Sequence, residues 1–150
     1  MIHIEVNPSL TDAPNLDTLE RAALAALARQ DADGDLSIVL TDDAQLRQLN
    51  RDYLGVDAPT DVLSFSASET DPETGRRYLG DVLLSIPRAD EQARAAGHTL
   101  EAEAQLLVVH GTLHLLGHDH AEAQEKARMW KAQAEVLERL GLGHIQIQET

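Results

Sequence analysis

The sequence predicts an α+β domain, in which a small mixed β-sheet packs against helices and one helix carries a candidate metal-binding motif. Short segments of alternating or continuous apolar residues, typical of strands, occur near residues 2–6, 36–40, 62–65 and 78–86. Longer segments with a helical apolar period lie between and after them. Strands and helices are therefore mixed along the chain, which favours this fold class. The length of 150 residues favours a single domain, residues 1–150.

The first two elements are a strand and an amphipathic helix. In "IHIEV", Ile2, Ile4 and Val6 fall on one face of a half-buried strand. The next segment, "PNLDTLERAALAALARQ", is expected to open near Asn15. The apolar stripe of this helix comprises Leu16, Leu19, Ala23 and Leu27. The turn "DADGD" is similar to half of a calcium loop, but Asp42 stands where the bidentate Glu belongs, so no calcium site is expected.

A second strand and helix follow, and then a third strand. "LSIVL" is a short apolar strand, and "TDDAQLRQLNRDYLG" is a helix with Thr41 as the expected N-cap and Gly55 as its end. The buried face of this helix is expected to contain Leu46, Leu49 and Tyr53. "VDAPTDVLSF" leads from a loop into a strand, whereas the polar "SASETDPETGRRY" is expected to be a mobile connection.

The last part of the chain is mainly helical. "YLGDVLLSI" is a strand closed by Pro87, and "RADEQARAA" is a short helix stopped by Gly97. A longer helix is expected over about residues 99–117, and a last helix over about residues 121–140. The inward-facing residues of the longer helix are expected to be Leu106, Val109 and Leu113. The tail "HIQIQ" alternates weakly, as a strand would.

The composition restricts the function classes. The net charge of −14 repels nucleic acid, so specific binding of nucleic acid requires a local basic surface or a large partner. The chain has no cysteine, which excludes disulfides, thiolate nucleophiles and Cys-based zinc sites and fits a reducing compartment such as the cytoplasm. The first residues lack the pattern of a signal peptide, and no apolar run is long enough to span a membrane, so no membrane association is expected.

The segment "HGTLHLLGHDH", residues 110–120, has the spacing H-x-x-x-H-x-x-G-x-x-H. His110 and His114 are four residues apart, so their rings share one face of a helix. Gly117 can adopt a positive φ, which lets the chain turn back and bring His120 to the same point. Three neutral imidazoles favour zinc, one per chain, and leave a fourth tetrahedral position open, as in catalytic zinc sites.

The residues between the histidines restrict the chemistry further. Metzincin proteases share this spacing, but their general base is a Glu directly after the first His, where this chain has Gly111. Asp119 has two compatible interpretations: it orients a ligand or handles a proton, or it caps the last helix, with Glu122 completing a capping box. His118 falls off the ligand pattern and is either a solvated side chain or a residue of the cleft. The isolated histidines, expected to bind no metal, are His3, His98 and His144.

Three stretches together resemble the YbeY family of bacterial ribosomal RNA maturation factors. They are "PTDVLSF", "LGDVLLS" and "HGTLHLLGHDH", and their order, spacing and chain length also resemble the family. The resemblance covers almost the whole chain. It implies a cytoplasmic α+β protein with a zincin-like cleft, acting as a zinc-dependent endoribonuclease specific for single strands. It also implies maturation of the 3′ end of small-subunit ribosomal RNA and late ribosome quality control, with the small subunit and ribosome-associated proteins as partners.

The resemblance also assigns site residues by matching positions. The implied zinc ligands are His110, His114 and His120. The implied polar residues at the cleft are Thr60, Asp61 and Ser64, which join Asp119 as candidate catalytic residues. Many members carry an Arg after the Tyr of the preceding helix and a Lys two residues later, but this chain has Leu54 and Val56 there. Basic residues that could substitute for the missing Arg are Arg47, Arg51, Arg76, Arg77 and Arg88.

Several alternatives remain open at this point. A ribose 2′-OH can act as an internal nucleophile, which would lessen the need for a protein Glu, and water is the other candidate. The acidic charge and the missing Arg favour a second function, a ribosome-assembly binding factor whose zinc is mainly structural. A metallopeptidase is disfavoured because Gly111 replaces the catalytic Glu.

Overall fold

The computed structural model describes residues 1–145, which form four strands and five helices. The predicted tail strand "HIQIQ" falls mostly outside the described residues. In chain order the elements are β1 (Ile2–Val6), α1 (Leu16–Arg29), β2 (Asp35–Thr41), α2 (Asp43–Leu54), β3 (Val62–Thr70), β4 (Arg77–Ser85), α3 (Ile86–Ala96), α4 (Leu100–Leu115) and α5 (Ala123–Arg139). The predicted α+β class with the histidine motif on a helix is therefore confirmed.

The four strands form one mixed sheet in the order β1-β2-β4-β3. β1 and β2 are parallel, as are β2 and β4, whereas β3 and β4 form an antiparallel hairpin. The register aligns Ile4, Ile38, Val82 and Ser64 in one row across the sheet. This row ends on β3, an edge strand, and Gly111 lies over its last two members, Val82 and Ser64.

Both faces of the sheet bury apolar side chains. The larger core lies between one face and the helices α1, α3, α4 and α5, and it includes Ile38, Val82 and Leu84. The smaller core, under α2 on the other face, contains Leu46, Leu63 and Leu83. β4 is buried at every position from Leu79 onward except Asp81, because both of its faces are covered.

The prediction for α2 was wrong in two respects. The N-cap is Asp42 rather than Thr41, since the Asp42 carboxylate accepts a hydrogen bond from the Gln45 amide at 2.8 Å. Tyr53 was expected to be buried, but 70% of it is exposed. Asn50 turns inward instead, and its side-chain amide donates to the Ala58 carbonyl at 3.0 Å, which holds the following loop against the helix.

The polar segment after residue 65 is also more ordered than its composition predicted. Ser66–Thr70 and Arg77 belong to the β3–β4 hairpin, and Thr70 pairs with Arg77. The hairpin extends beyond the core, where its side chains are exposed, so its polar composition reflects solvent contact rather than an absence of strand. A smaller difference from prediction concerns α1. Leu16 was placed on the apolar stripe of this helix, but it is 38% exposed because it lies at the helix start.

Two further expectations near the motif needed correction. α5 begins at Ala123 after Glu122, which makes no side-chain cap hydrogen bond, so Asp119 does not cap this helix. His98 is not isolated, because its Nε2 lies 3.1 Å from Oε1 of Glu103 and both side chains are largely buried. Burial raises the pKa of Glu103, and the hydrogen bond from His98 partly counteracts that rise.

None of the helices within residues 1–145 is long and apolar enough to cross a membrane.

Candidate metal centre

α4 carries the first two histidines through the middle of the molecule. It packs against α1, α3, α5, β3 and β4, so most of its residues from Ala102 to Leu113 are buried. Thr99 caps its start by accepting a hydrogen bond from the Ala102 amide at 3.1 Å. His110 and His114 lie one turn apart near its C-terminal end, with ring centroids 4.8 Å apart. A buried, densely packed helix therefore fixes two of the three rings.

The third histidine arrives on the loop between α4 and α5. Gly117 has a φ of 99°, a conformation that L side chains rarely adopt, and it reverses the chain just after α4 ends. The Asp119 carboxylate accepts a hydrogen bond from the His120 backbone amide at 2.7 Å. The His120 ring centroid lies 5.5 Å from that of His110 and 5.2 Å from that of His114. One ring nitrogen from each histidine lies within 4.8 Å of the others, so the three can hold a metal ion.

The environment keeps the first imidazole neutral and correctly oriented. Burial, helped by the nearby His114 and His120, lowers the pKa of His110 to about 4 despite the opposing effect of its hydrogen bond to Gln133. His110 Nδ1 lies 2.8 Å from Oε1 of the fully buried Gln133. An amide oxygen can only accept, so Nδ1 carries the hydrogen and Nε2 keeps the lone pair that a metal requires. Burial, followed by the proximity of His120, also lowers the pKa of His114.

Trp130 packs against the same cluster. Its ring lies edge-on to His110 and His120, with centroid distances of 6.2 Å and 5.7 Å. The Lys126 Nζ lies 5.5 Å from the centroid of the Trp130 ring. Trp130 and Gln133 are three residues apart on α5, so one face of this helix supports the histidines. The donor set and its surroundings fit a metal with a preference for neutral nitrogen ligands.

The three histidines form part of the wall of a cleft of about 450 Å³. The remaining lining residues come from α2 and from the loop and strand before and within β3: Leu54, Thr60, Asp61, Val62, Leu63, Ser64 and Ser66. Thr60, Asp61 and Ser64 therefore line the same cleft as the histidines, and a catalytic role for them stays a prediction. Asp119 and His118 instead line a different pocket with Gln30 and Arg128. Asp119 acts on the centre through its hydrogen bond to the His120 backbone and through its charge, which opposes the lowering of the pKa of His114.

Ser64 has a structural hydrogen bond in addition to its place at the cleft. Its hydroxyl donates to the Gly111 carbonyl at 3.0 Å and so connects β3 with α4. The Thr60 hydroxyl makes a longer contact of 3.4 Å with the Val62 carbonyl. Of the described lining residues, Asp61 is the one carboxylate.

Gly111 lies directly over the sheet, which explains the missing Glu. A Cβ at this position would come within 2.5 Å of Val82 Cγ1 and 3.0 Å of Ser64 Oγ. Real Cβ atoms essentially never show a contact as short as the first. The residue after His110 therefore faces the β3–β4 pair rather than the cleft, and a Glu there would have no room.

The proposed substitutes for the missing Arg do not line the cleft, which contains no Lys or Arg among its described lining residues. Four of them form ion pairs elsewhere: Arg47 with Asp57, Arg51 with Asp52, Arg76 with Asp35 and Arg88 with Asp43. Arg77 is an exposed residue at the start of β4. The described lining of the cleft therefore contains no cation from this set.

Sequence reasoning missed Gln133 and Trp130. Both lie on α5, where a Gln among charged residues gives no sign of burial. The available signal was their spacing of three residues, which places them on one helical face together with the buried Met129 and Ala132. Only the packing of α5 against α4 shows that this face meets the histidines.

The comparisons with known proteins agree with this geometry. A profile of the family described as "Endoribonuclease YbeY" matches residues 5–141. A protein of that name from Brevibacillus brevis is 39% identical, with 95% of this chain and 96% of that protein covered. Another from Halalkalibacterium halodurans is 44% identical, with coverages of 84% and 87%. A solution structure from Thermotoga maritima is 27% identical, has a TM-score of 0.61 and covers 93% of this chain and 89% of its own. On these matches, and with a histidine centre where the family motif falls, the chain belongs to the endoribonuclease YbeY family.

Proposed function

We propose that the protein is a zinc-dependent endoribonuclease that cleaves single-stranded RNA at the histidine centre. One observation carries the proposal: three ring nitrogens within 4.8 Å of one another open onto a cleft, in a member of a family described as endoribonucleases. Neutral nitrogen ligands favour zinc over magnesium or calcium. We expect one zinc per chain, held by His110, His114 and His120.

The metal and the side chains of the cleft have different roles in the proposed reaction. When bound, zinc supplies a Lewis acid that offsets negative charge developing on the scissile phosphate. Asp61, as the carboxylate of the cleft, is our candidate to accept the proton of the attacking hydroxyl, whether from water or from the ribose 2′-OH. Thr60 is our candidate to contact the phosphate. Ser64 and Asp119 act as positioning residues, because their hydrogen bonds hold the backbone at Gly111 and His120.

The physiological substrate that we propose is the 3′ end of precursor small-subunit ribosomal RNA, with a further part in late ribosome quality control in the cytoplasm. The net charge of −14 and the lack of a cation in the cleft lining argue for a substrate presented by a large partner. The small ribosomal subunit, with its associated proteins, supplies such a partner.

Cleavage of labelled RNA tests the proposal. Wild-type protein is expected to cleave a single-stranded precursor fragment and to leave the same sequence intact in a duplex. His114→Ala should lose most bound zinc and most cleavage, whereas His144→Ala, at an exposed position outside the centre, should retain both. Equal cleavage by His114→Ala and wild type would refute the proposal.

The acidic surface favours a second candidate function, a ribosome-assembly factor that binds without cutting and whose zinc is mainly structural. Co-sedimentation with small subunits separates the two functions. A binding factor with a structural zinc would cleave no RNA in any form, and its stripped form would unfold. A nuclease would lose cleavage in His114→Ala while the folded variant still co-sediments. A peptidase is the least favoured function, since the position of its catalytic Glu is closed by Val82.

A further inference from the structure

An exposed apolar surface lies beside the cleft at the end of α2. Of the seven large apolar side chains exposed in residues 1–145, three fall within positions 53–56. These are Tyr53, Leu54 and Val56, which are 70%, 57% and 50% exposed, and they are called the ledge below. Of the three, Leu54 also lines the cleft, so the ledge reaches the wall that carries the histidines through this side chain.

The ledge is held in place by its surroundings. Gly55 ends α2 in a left-handed conformation, and the Gly55 and Val56 amides donate to the carbonyls of Arg51 and Asn50, both at 3.2 Å. The Tyr53 ring contacts Phe65 of β3 edge-on, with centroids 5.7 Å apart. An aromatic ring that is fixed by its neighbours but largely exposed loses little conformational entropy when a ligand packs on it.

The charges around the cleft decide which ligand fits. RNA offers phosphates and bases, and the phosphates meet a chain of net charge −14 with no Lys or Arg in the described cleft lining. Attraction of the phosphates is therefore weak. An unpaired base is flat, apolar on its faces and uncharged, so it can pack on an aromatic ring whatever the charge of the protein. A base-paired strand keeps its bases stacked inside the duplex and cannot use the ledge.

We propose that Tyr53, with Leu54 and Val56 beside it, is a docking site for an unpaired nucleobase of the RNA strand whose backbone enters the histidine cleft. The ledge holds the strand through its bases and so selects single-stranded over duplex substrates. This inference rests on the proposed nuclease function but concerns binding, so it can be tested apart from cleavage.

Binding of a nuclease-resistant oligonucleotide provides the test. The probe is fluorescein-labelled 2′-O-methyl oligoadenylate of about eight nucleotides, a length within the range of single-strand sites. Its counterpart has the same sugars and phosphates but no bases. Fluorescence anisotropy measures both affinities for the full chain. Wild type should bind the base-bearing probe about 5- to 150-fold more tightly than the abasic one, in line with stacking on an aromatic side chain.

Variants then locate the binding. Tyr53→Ala should bring the ratio of the two probe affinities close to one, and Tyr53→Phe, which keeps the ring, should retain the wild-type ratio. Leu24→Ala is the matched control, because Leu24 is 46% exposed on α1 and does not line the cleft. In cleavage of a single-stranded RNA, Tyr53→Ala should raise KM and leave kcat nearly unchanged. Thermal melting verifies that each variant is folded.

The outcomes separate the ledge from the nuclease function. An unchanged ratio in Tyr53→Ala, or equal affinity of wild type for the two probes, would overturn the ledge as a base-binding site even if wild type cleaves RNA. A ratio that depends on Tyr53 would support the ledge even if cleavage proved independent of the histidines. Failure of wild type to bind either probe would also overturn it.

Discussion

Gln133 determines which nitrogen of His110 is available to a metal. Its carbonyl accepts from Nδ1, while its own Nε2 is buried without a hydrogen-bond partner among the described residues. Such a pairing orients the ligand and is expected to matter more for metal affinity than for folding. A buried side chain with one unsatisfied polar group adds little to stability. The benefit of Gln133 therefore lies in orienting His110.

Gln133→Leu tests this role. Leu has a similar volume and removes the unsatisfied Nε2, which offsets part of the cost of leaving the His110 Nδ1–H without an acceptor. The melting temperature of the stripped protein should therefore fall only slightly. Zinc affinity, measured by competition with a chelator, should fall about 10- to 100-fold. Gln124→Leu, at an exposed position of the same helix, should keep wild-type affinity. Equal affinities in the two variants would remove Gln133 from the centre.

His110 makes the stability of the stripped protein depend on pH. Its pKa is about 4 in the folded chain and near 6.5 when unfolded, so below pH 6.5 the unfolded state gains a proton that the folded state refuses. Stability should therefore fall as the pH drops from about 6.5 towards 4, by on the order of 3 kcal/mol for this group. The lowered pKa of His114 acts in the same direction.

Urea unfolding of the chelated protein between pH 7 and pH 4.5 measures this dependence. Wild type should lose more stability over this range than His110→Gln, in which the proton linkage is removed. His3→Gln, at an exposed strand position, should follow wild type. Parallel curves for wild type and His110→Gln would show that the ring is not buried as described.

At the scale of elements, the fit of α4 over the β3–β4 pair determines the shape of the cleft. Gly111 lies against Val82 and Ser64, which face each other across the two strands. In an open helix, Gly→Ala would add about 0.5–1 kcal/mol of stability. Here the added methyl group would meet Val82 at 2.5 Å, and overpacking of this kind costs about 1–3 kcal/mol. The steric term is the larger, so Gly111→Ala should destabilise the protein and slow cleavage by shifting His110.

A double variant distinguishes packing from other causes. Val82→Ala alone leaves a small cavity and is expected to lower the melting temperature. In Gly111→Ala/Val82→Ala the new methyl group occupies the space that the valine vacated, so the double variant should be more stable than the sum of the single effects predicts. A more stable and fully active Gly111→Ala would contradict the close contact. Gly111→Glu should abolish RNA cleavage without producing peptidase activity.

Sequence patterns predicted the elements that depend on local chemistry. Gly55 and Gly97 end α2 and α3 in left-handed conformations, as predicted. The spacing of the histidines likewise predicted that their three rings lie close together. The patterns failed where tertiary contact overrides composition. The polar Ser66–Thr70 is a strand because it pairs with β4, and Tyr53 is exposed because Asn50 takes the inward position. The role of Gln133 could not be predicted, since it requires knowing which helix packs beside α4. That residues 1–150 form one domain stays a prediction.

For the whole molecule, charge is the property that most affects the encounter with RNA. A chain of net charge −14 whose described cleft lining has no cation should bind isolated RNA weakly. Leu54→Arg places a cation at the cleft, and a guanidinium can still stack on a base, so the ledge keeps a binding surface there. Cleavage of single-stranded RNA by this variant should be faster than wild type at low salt.

The salt dependence identifies the cause of that gain. One added phosphate contact should steepen the slope of log affinity against log salt by about 0.7, so the advantage of Leu54→Arg should shrink as salt rises. Leu24→Arg adds the same charge outside the cleft and should have a smaller effect. The absence of a gain at low salt would show that another group already neutralises the phosphate.

The most direct measurement is a zinc titration of stripped protein, followed by cleavage of a labelled single-stranded RNA. The single tryptophan lies next to His110 and His120, so its fluorescence can report occupancy in the same samples. We expect cleavage to be absent without metal, to rise in proportion to the zinc bound and to saturate at one zinc per chain. We also expect His114→Ala to show neither the fluorescence change nor the activity. Full cleavage by stripped protein, or activity that does not follow occupancy, would contradict the assignment of the histidine centre as the catalytic site.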